Sequence, residues 1–340
     1  MATSSLDRAR GWSAPRGWAT HRTDRRAEYV LGALAAATLV FIAAMLVTVF
    51  VKAWPSFSHN GLAWFGPGGD VEAQLRAMQE QKPLAGHSLY YFHAWPLIWG
   101  TLLTTGFAVL IALVVSVFTA VFLTEFAPAP LQRVLDPVIR LLAGVPSVIY
   151  GLVGILVLVP FVNEQLISTA RRESVARVVQ LNGADVMTAS LVLTLMILPI
   201  MIAISAGALE AVPHSWREGS LALGVNRWRT IWRVSLTTAR PAIVAGTVLA
   251  TARALGEAVM LAMLGGSRGF APNFLDGFTV LYEPVKPLAS TIFDNREGLG
   301  IAPLAHTIYA IAAVLLVSAG MLSLIGWSTR QRFQRYGIRI

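Results

Sequence analysis

Arg253 and Glu257 stand four residues apart in a stretch, 241–264, that is otherwise apolar and rich in Ala and Leu. On one continuous helix this spacing puts both side chains on the same face, one turn apart. A helix beginning at Pro241 would carry Arg253 about 18 Å along its axis, close to the middle of a bilayer. The order Arg then Glu is the weaker one for local helix stability, so helix stabilisation alone explains the pair poorly. A guanidinium fork suits bidentate contact with phosphate or carboxylate, and Glu257 would then balance the charge when no anion is bound. The pair reads equally as a buried ion pair that ties helices together, and both readings stay open. Ala254 and Gly256 beside them leave room for a neighbouring helix backbone.

The elements that must carry such a pair are membrane helices. The chain has 340 residues, 55% hydrophobic and 13% charged, with a mean hydropathy of +0.62, far more apolar than a soluble domain requires. Runs long enough to cross a hydrocarbon core fall near 29–53, 95–123, 141–162, 186–209, 241–264 and 303–327. The expected fold is therefore all-α, a membrane protein of about six transmembrane helices. The first run is too long, and too far behind a polar segment, to read as a cleavable signal peptide. Most of the 27 Lys and Arg fall in segments on the same side as the N terminus, which places both termini in the cytoplasm. The same basic excess accounts for a pI near 10.4 without nucleic acid. With no cysteine, disulfide and thiolate chemistry are excluded.

Between the spans the organisation reads as follows. Residues 1–28 form a polar, Arg-rich tail expected to be disordered, and 29–53 the first transmembrane helix. Residues 54–94 form an outside loop with an amphipathic piece near 71–81, either a small cap or a structureless connection. Residues 95–327 make the core, with a cytoplasmic loop at 210–240, and 328–340 a basic cytoplasmic tail. Gly144, Pro146 and Ser147 disturb the third run. Interrupted membrane helices persist where the freed backbone lines a cavity or is packed by protein, and an ordinary Pro kink is the alternative. Arg171, Arg172 and Arg177 in the outside loop 163–185 suit a helix lying on the membrane surface.

Other chemistry is weak. No G-x-x-x-x-G-K-[ST] run occurs, so ATP binding through a P-loop is not expected in this chain. Gly265-Gly266-Ser267-Arg268-Gly269 matches a nucleophile elbow in letters only, because it follows a membrane helix rather than a strand. His87 and His93 lack a second pair at metal-ligand spacing, and His214 and His306 are single. No catalytic residue, metal ligand or cofactor is assigned to the chain.

The loop REGSLALGVNRWRTIWRV, residues 217–234, builds a short helix, a Gly turn and a second amphipathic helix, flanked by Trp216, Trp228 and Trp232 at the membrane surface. Its apolar face fits either lipid headgroups or a partner protein. Glu218, then Gly224, then Val234 and Leu236 resemble the "EAA" loop of type I ABC importer permeases, although Gly219 and Ser220 replace two alanines and Thr237 replaces a proline. Together with LLAGVPSVIYGLVG (141–154), ARALGEAVM (252–260, with Ala258 where a Thr is frequent) and PLASTI (287–292), the loop resembles the PstC family of phosphate-importer permeases.

That resemblance implies a type I permease fold in a bacterial cytoplasmic membrane, and a subunit of an ATP-driven phosphate importer. It implies a PstA-like second permease subunit, two copies of a PstB-like ATPase that hold ATP and magnesium, and an extracytoplasmic PstS-like phosphate-binding protein. It assigns Arg253 and Glu257 to the substrate pathway, and Arg217, Glu218, Leu221, Leu223, Gly224 and Val225 to the loop that docks the ATPase. A stand-alone secondary transporter or channel for a small anion is the competing expectation.

Overall fold

The computed structural model describes residues 21–168, 172–173, 180–266, 269–272 and 274–334. Most of the expected disordered tail, Arg171, Arg177, Ser267, Arg268 and the last six residues lie outside the described residues. Six helical stretches are long and apolar enough to cross a bilayer: Ala27–Phe65, Trp95–Phe126, Ser147–Leu166, Val186–Glu210, Arg227–Leu255 and Ala302–Ser328.

The chain divides into two compact units, Met1–Thr48 and Val49–Ile340. Helix α1, His21–Asn60, begins inside the segment expected to be a disordered tail and runs well past the expected end of the first span. In the first unit its apolar side chains, among them Leu31, Leu34, Leu39, Phe41 and Val47, are exposed. A helix apolar all round has no aqueous face, and lipid is the solvent that suits it.

In the second unit the segment after α1 is an ordered cap rather than a structureless loop. A 3-10 turn at Gly61–Phe65 leads to α2, Val71–Gln79, where Asp70 caps the first turn by accepting from the Glu72 amide. Two side-chain amides, the half-buried Asn60 and the buried Gln74, stitch the cap. Asn60 donates to the Tyr90 carbonyl at 2.6 Å and accepts from the Phe92 amide, while Gln74 donates to the Gly68 carbonyl and accepts from the His93 amide at 2.9 Å. Trp64, Leu75, Met78 and Phe92 then bury against Leu97, Leu304 and Ile308 of the bundle.

The bundle is built on α3, Trp95–Val121, prolonged by a wide π turn at Phe122–Phe126. Its small residues Ala108 and Ala112 face α6, Val186–Glu210, so the backbones come close enough for Thr194 to donate to the Ala108 carbonyl as well as to that of Ser190. Two helices follow α3. The first, α4, Ala129–Ala143, is amphipathic and buries none of its side chains; the second, α5, Ser147–Val153, continues through further wide turns to Leu166. The third span thus starts at Ser147, six residues later than the hydropathy suggests, because residues 141–143 still belong to α4.

A hairpin follows α6: α7, His214–Ala222, and α8, Arg227–Thr230, which runs through a wide turn at Ile231–Ser235 into α9, Leu236–Leu255. The fifth span is therefore Arg227–Leu255, not 241–264. Pro241 lies inside it, forgoing one ladder bond, instead of opening it. The chain breaks at Gly256, and Val259–Leu264 forms a separate short helix, α10. α11, Leu288–Asp294, and α12, Ala302–Gln334, complete the fold. α12 extends through most of what reads as a basic tail.

Candidate functional site

The residues of interest collect in two places, a pair of helix breaks in the bundle and the tip of the hairpin. At the first break Gly144 ends α4, and Pro146, which has no amide hydrogen, sits extended before α5 (φ −58°, ψ 138°). The Leu142 carbonyl, freed from the helical ladder, accepts from the Val145 amide at 3.2 Å and from the Tyr150 hydroxyl at 3.0 Å. Tyr150 thus fastens α5 to the end of α4.

At the second break Arg253 occupies the last turn of α9. Glu257 lies past the break, and its Oε1 accepts from the Met260 amide at 3.4 Å, at the start of α10. The expected arrangement, both side chains on one face of a continuous helix with Arg253 in its middle, is corrected. Gly256 has low helix propensity, and the Glu257 carboxylate offers the next helix a local acceptor, so the chain turns between the two charges. Among the described residues no carboxylate lies within ion-pair distance of Arg253. Its side chain is exposed, whereas Glu257 is partly buried.

The two breaks meet. α10 packs on α5, where Gly151 and Gly154 bring the α5 backbone against Met260, Met263 and Leu264. Gly144, Pro146 and Ser147 open α5 with the Tyr150 hydroxyl bonded back to the end of α4. Tyr150 is the residue that spacing alone did not single out. Its signal was its place one helical turn beyond a Pro-Ser helix start.

At the hairpin Gly224 is left-handed, with φ +78°. The Gly224 amide donates to Leu221 O at 2.9 Å and the Val225 amide to Ser220 O at 3.3 Å, the paired bonds of a Schellman helix end. No neighbouring atom crowds the glycine, so its requirement is conformational. Asn226 caps α8 by accepting from the Arg229 amide at 2.8 Å, and Ser220 and Thr230 share a hydroxyl contact of 2.9 Å across the two arms. Glu218, Leu221 and Leu223 are exposed, Leu223 to 86%, while Val225 is half-buried. Arg217 faces the other way, inward. It pairs with Glu125 at 2.9 Å and donates to the Leu209 carbonyl.

A bundle of membrane-crossing helices, with a guanidinium that has no ion pair among the described residues at a helix break, is the architecture of an integral membrane protein with a charged face inside its spans. Residues 112–331 match the family described as binding-protein-dependent transport system inner membrane component, and the chain belongs to it. It is 34% identical to the probable ABC transporter permease protein YqgH of Bacillus subtilis, over 89% of this chain and 91% of that one. It is 30% identical to the phosphate transport system permease protein PstC of Haemophilus influenzae, over 84% and 89% respectively. The protein is thus a multi-pass membrane permease subunit, and its family role is transport rather than catalysis.

Proposed function

We propose that this chain is the PstC-type permease of an ATP-driven phosphate importer. With a PstA-like second permease subunit it would form the translocation pathway in a bacterial cytoplasmic membrane, both termini on the cytoplasmic side. Two PstB-like ATPase copies, holding ATP and magnesium, would dock beneath, with a PstS-like protein delivering phosphate from outside. The similarity to permeases of named phosphate systems supports the choice of substrate.

The observation that carries the reading is the exposed, unpaired Arg253 in an apolar span. A guanidinium on a membrane-crossing helix is costly to leave against lipid, so this face suits a water-filled pathway or the second permease subunit. Arg253 would take the anion by its guanidinium fork, and the Tyr150 hydroxyl would donate a further hydrogen bond. Glu257, held at the start of α10, would supply the counter-charge when the pathway is empty. The hairpin tip, Glu218, Leu221, Leu223, Gly224 and Val225, would seat in the ATPase.

The test is phosphate uptake into proteoliposomes that hold the assembled complex. Arg253→Ala is expected to lower uptake by roughly 10- to 100-fold, the value of one charge-assisted hydrogen bond, with the ATPase still copurifying. Full uptake in that variant removes the pathway role. Anion movement by the wild-type chain alone, driven by an ion gradient, would instead establish a secondary transporter or channel.

A further inference from the structure

We infer that the ion pair between Arg217 and Glu125 is the joint through which movement of the hairpin reaches the bundle, with α3 as the rod that carries it. The inference rests on the reading of the hairpin as the ATPase-docking element.

The geometry concentrates on one short segment. Arg217 Nη1 lies 2.9 Å from Glu125 Oε1, the two side chains only 14% and 10% exposed, and its other terminal nitrogen donates to the Leu209 carbonyl. One guanidinium therefore binds α7 to the ends of both α3 and α6. The second arm of the hairpin reaches the same place. The Arg227 guanidinium stacks 4.7 Å from the Phe126 ring centroid, and Trp232 meets Phe118 edge-on at 6.2 Å. No other side chain of α7 is buried against the bundle, so Arg217 is the principal anchor of that arm.

The gripped segment, Phe122–Phe126, is a wide π turn, an irregularity that concentrates at working positions in helices. From it α3 runs about 40 Å at about 1.5 Å per residue to the cap end of the bundle. There Thr101 Oγ1 accepts from the Leu288 amide at 2.9 Å, and Gly100 lies against Val285 and Lys286. A displacement of the hairpin thus has a continuous, packed route to the segment 285–287 that leads into α11. A buried ion pair is a poor device for stability alone, because desolvation offsets much of its attraction. It does resist being pulled apart, and it fixes direction, which is what a transmitting contact needs.

The experiment measures phosphate transported per ATP hydrolysed by the complex in proteoliposomes, for wild type, Glu125→Gln, Arg217→Gln and the exchanged double variant Glu125→Arg/Arg217→Glu. Each single variant is expected to keep the ATPase in the purified complex and to hydrolyse ATP, while transport per ATP falls by at least about fivefold, the lower end of ordinary inter-site coupling. The exchanged pair should recover part of that loss. Unchanged transport per ATP in the single variants overturns the inference. Loss of the ATPase from those variants also overturns it, since the pair would then only shape the docking surface. A wild-type chain that brings no ATPase with it overturns the docking reading itself. Should the single variants not fold, Arg217→Lys keeps the charge but cannot hold Glu125 and the Leu209 carbonyl together. An intermediate ratio is expected there, and a wild-type ratio overturns the inference.

Discussion

Arg253 ends one helix and Glu257 begins the next, so the two charges lie on opposite sides of a backbone break, not within ion-pair distance of each other. Glu257 spends its carboxylate on the Met260 amide, and Arg253 keeps its donors available. Separation by a break has a mechanical meaning. If α10 and α5 shift together against α9, the distance between the charges changes without any side chain having to repack. An anion ligand whose counter-charge rides on a different element can bind tightly in one arrangement and release in the other.

Because Arg253 has no ionic partner among the described residues, Arg253→Leu is expected to abolish transport while the chain still folds. The thermal midpoint of the purified chain in detergent is expected to stay at or above that of wild type. A large drop would show that the guanidinium holds the bundle together after all.

Tyr150→Phe removes one of two donors to the Leu142 carbonyl, leaving the Val145 amide in place. The expected loss of stability is about 1 kcal/mol, that of one ordinary hydrogen bond. The more informative number is the KM for phosphate uptake in the complex, expected to rise while the maximal rate holds. A lowered maximal rate with unchanged KM would assign the hydroxyl to motion instead of binding.

Gly224→Ala places a Cβ on a left-handed residue, disfavoured by about 1 kcal/mol, in open space. Leu223→Arg changes an exposed tip that the chain itself does not pack. Both should leave the melting temperature of the isolated chain within a few degrees and reduce the ATPase recovered by copurification. Equal recovery from both would show that the tip lies on lipid.

Asp185 caps α6 by accepting from the Thr188 amide at 2.8 Å, yet it is fully buried, and burial outweighs the Thr188 and Met187 hydrogen bonds to push its pKa from 3.8 up to about 7. Between those values the folded chain holds a proton that the unfolded chain has lost. Stability therefore falls as pH rises from about 4 to about 7, with the penalty complete above that. Asp185→Asn keeps the cap and should flatten the dependence in melts across this range. A wild-type profile as flat as that of the variant would count against the burial argument.

The number and type of the membrane helices were legible because each is a long apolar run, and the hairpin because Gly224 and Asn226 are strong local stop and start signals. The boundaries of the third and fifth spans were not. Residues 141–143 are apolar enough to pass for membrane while belonging to an amphipathic helix, and Pro241 resembles a helix start yet is absorbed inside one. The break at Gly256 has no proline to mark it. Arg217 sits among docking residues in the sequence, and only its partner Glu125, ninety-two positions earlier, turns it inward. Tyr150 was hidden because its partner, the Leu142 carbonyl, is freed only by the break between α4 and α5.

Gly151 and Gly154 set α5 directly on Met260 and Leu264, with a Cβ at Gly154 falling 2.9 Å from Leu264 and 3.0 Å from Val192. The neighbours Val148, Leu152, Val153 and Leu156 point outward and are exposed. Tolerance to mutation along this stretch should therefore be sharply uneven. A saturation library read out by growth on limiting phosphate would accept one apolar residue for another at the outward positions, and would show two narrow, less tolerant sites three residues apart, where a methyl group must displace Met263, Leu264 or Val192.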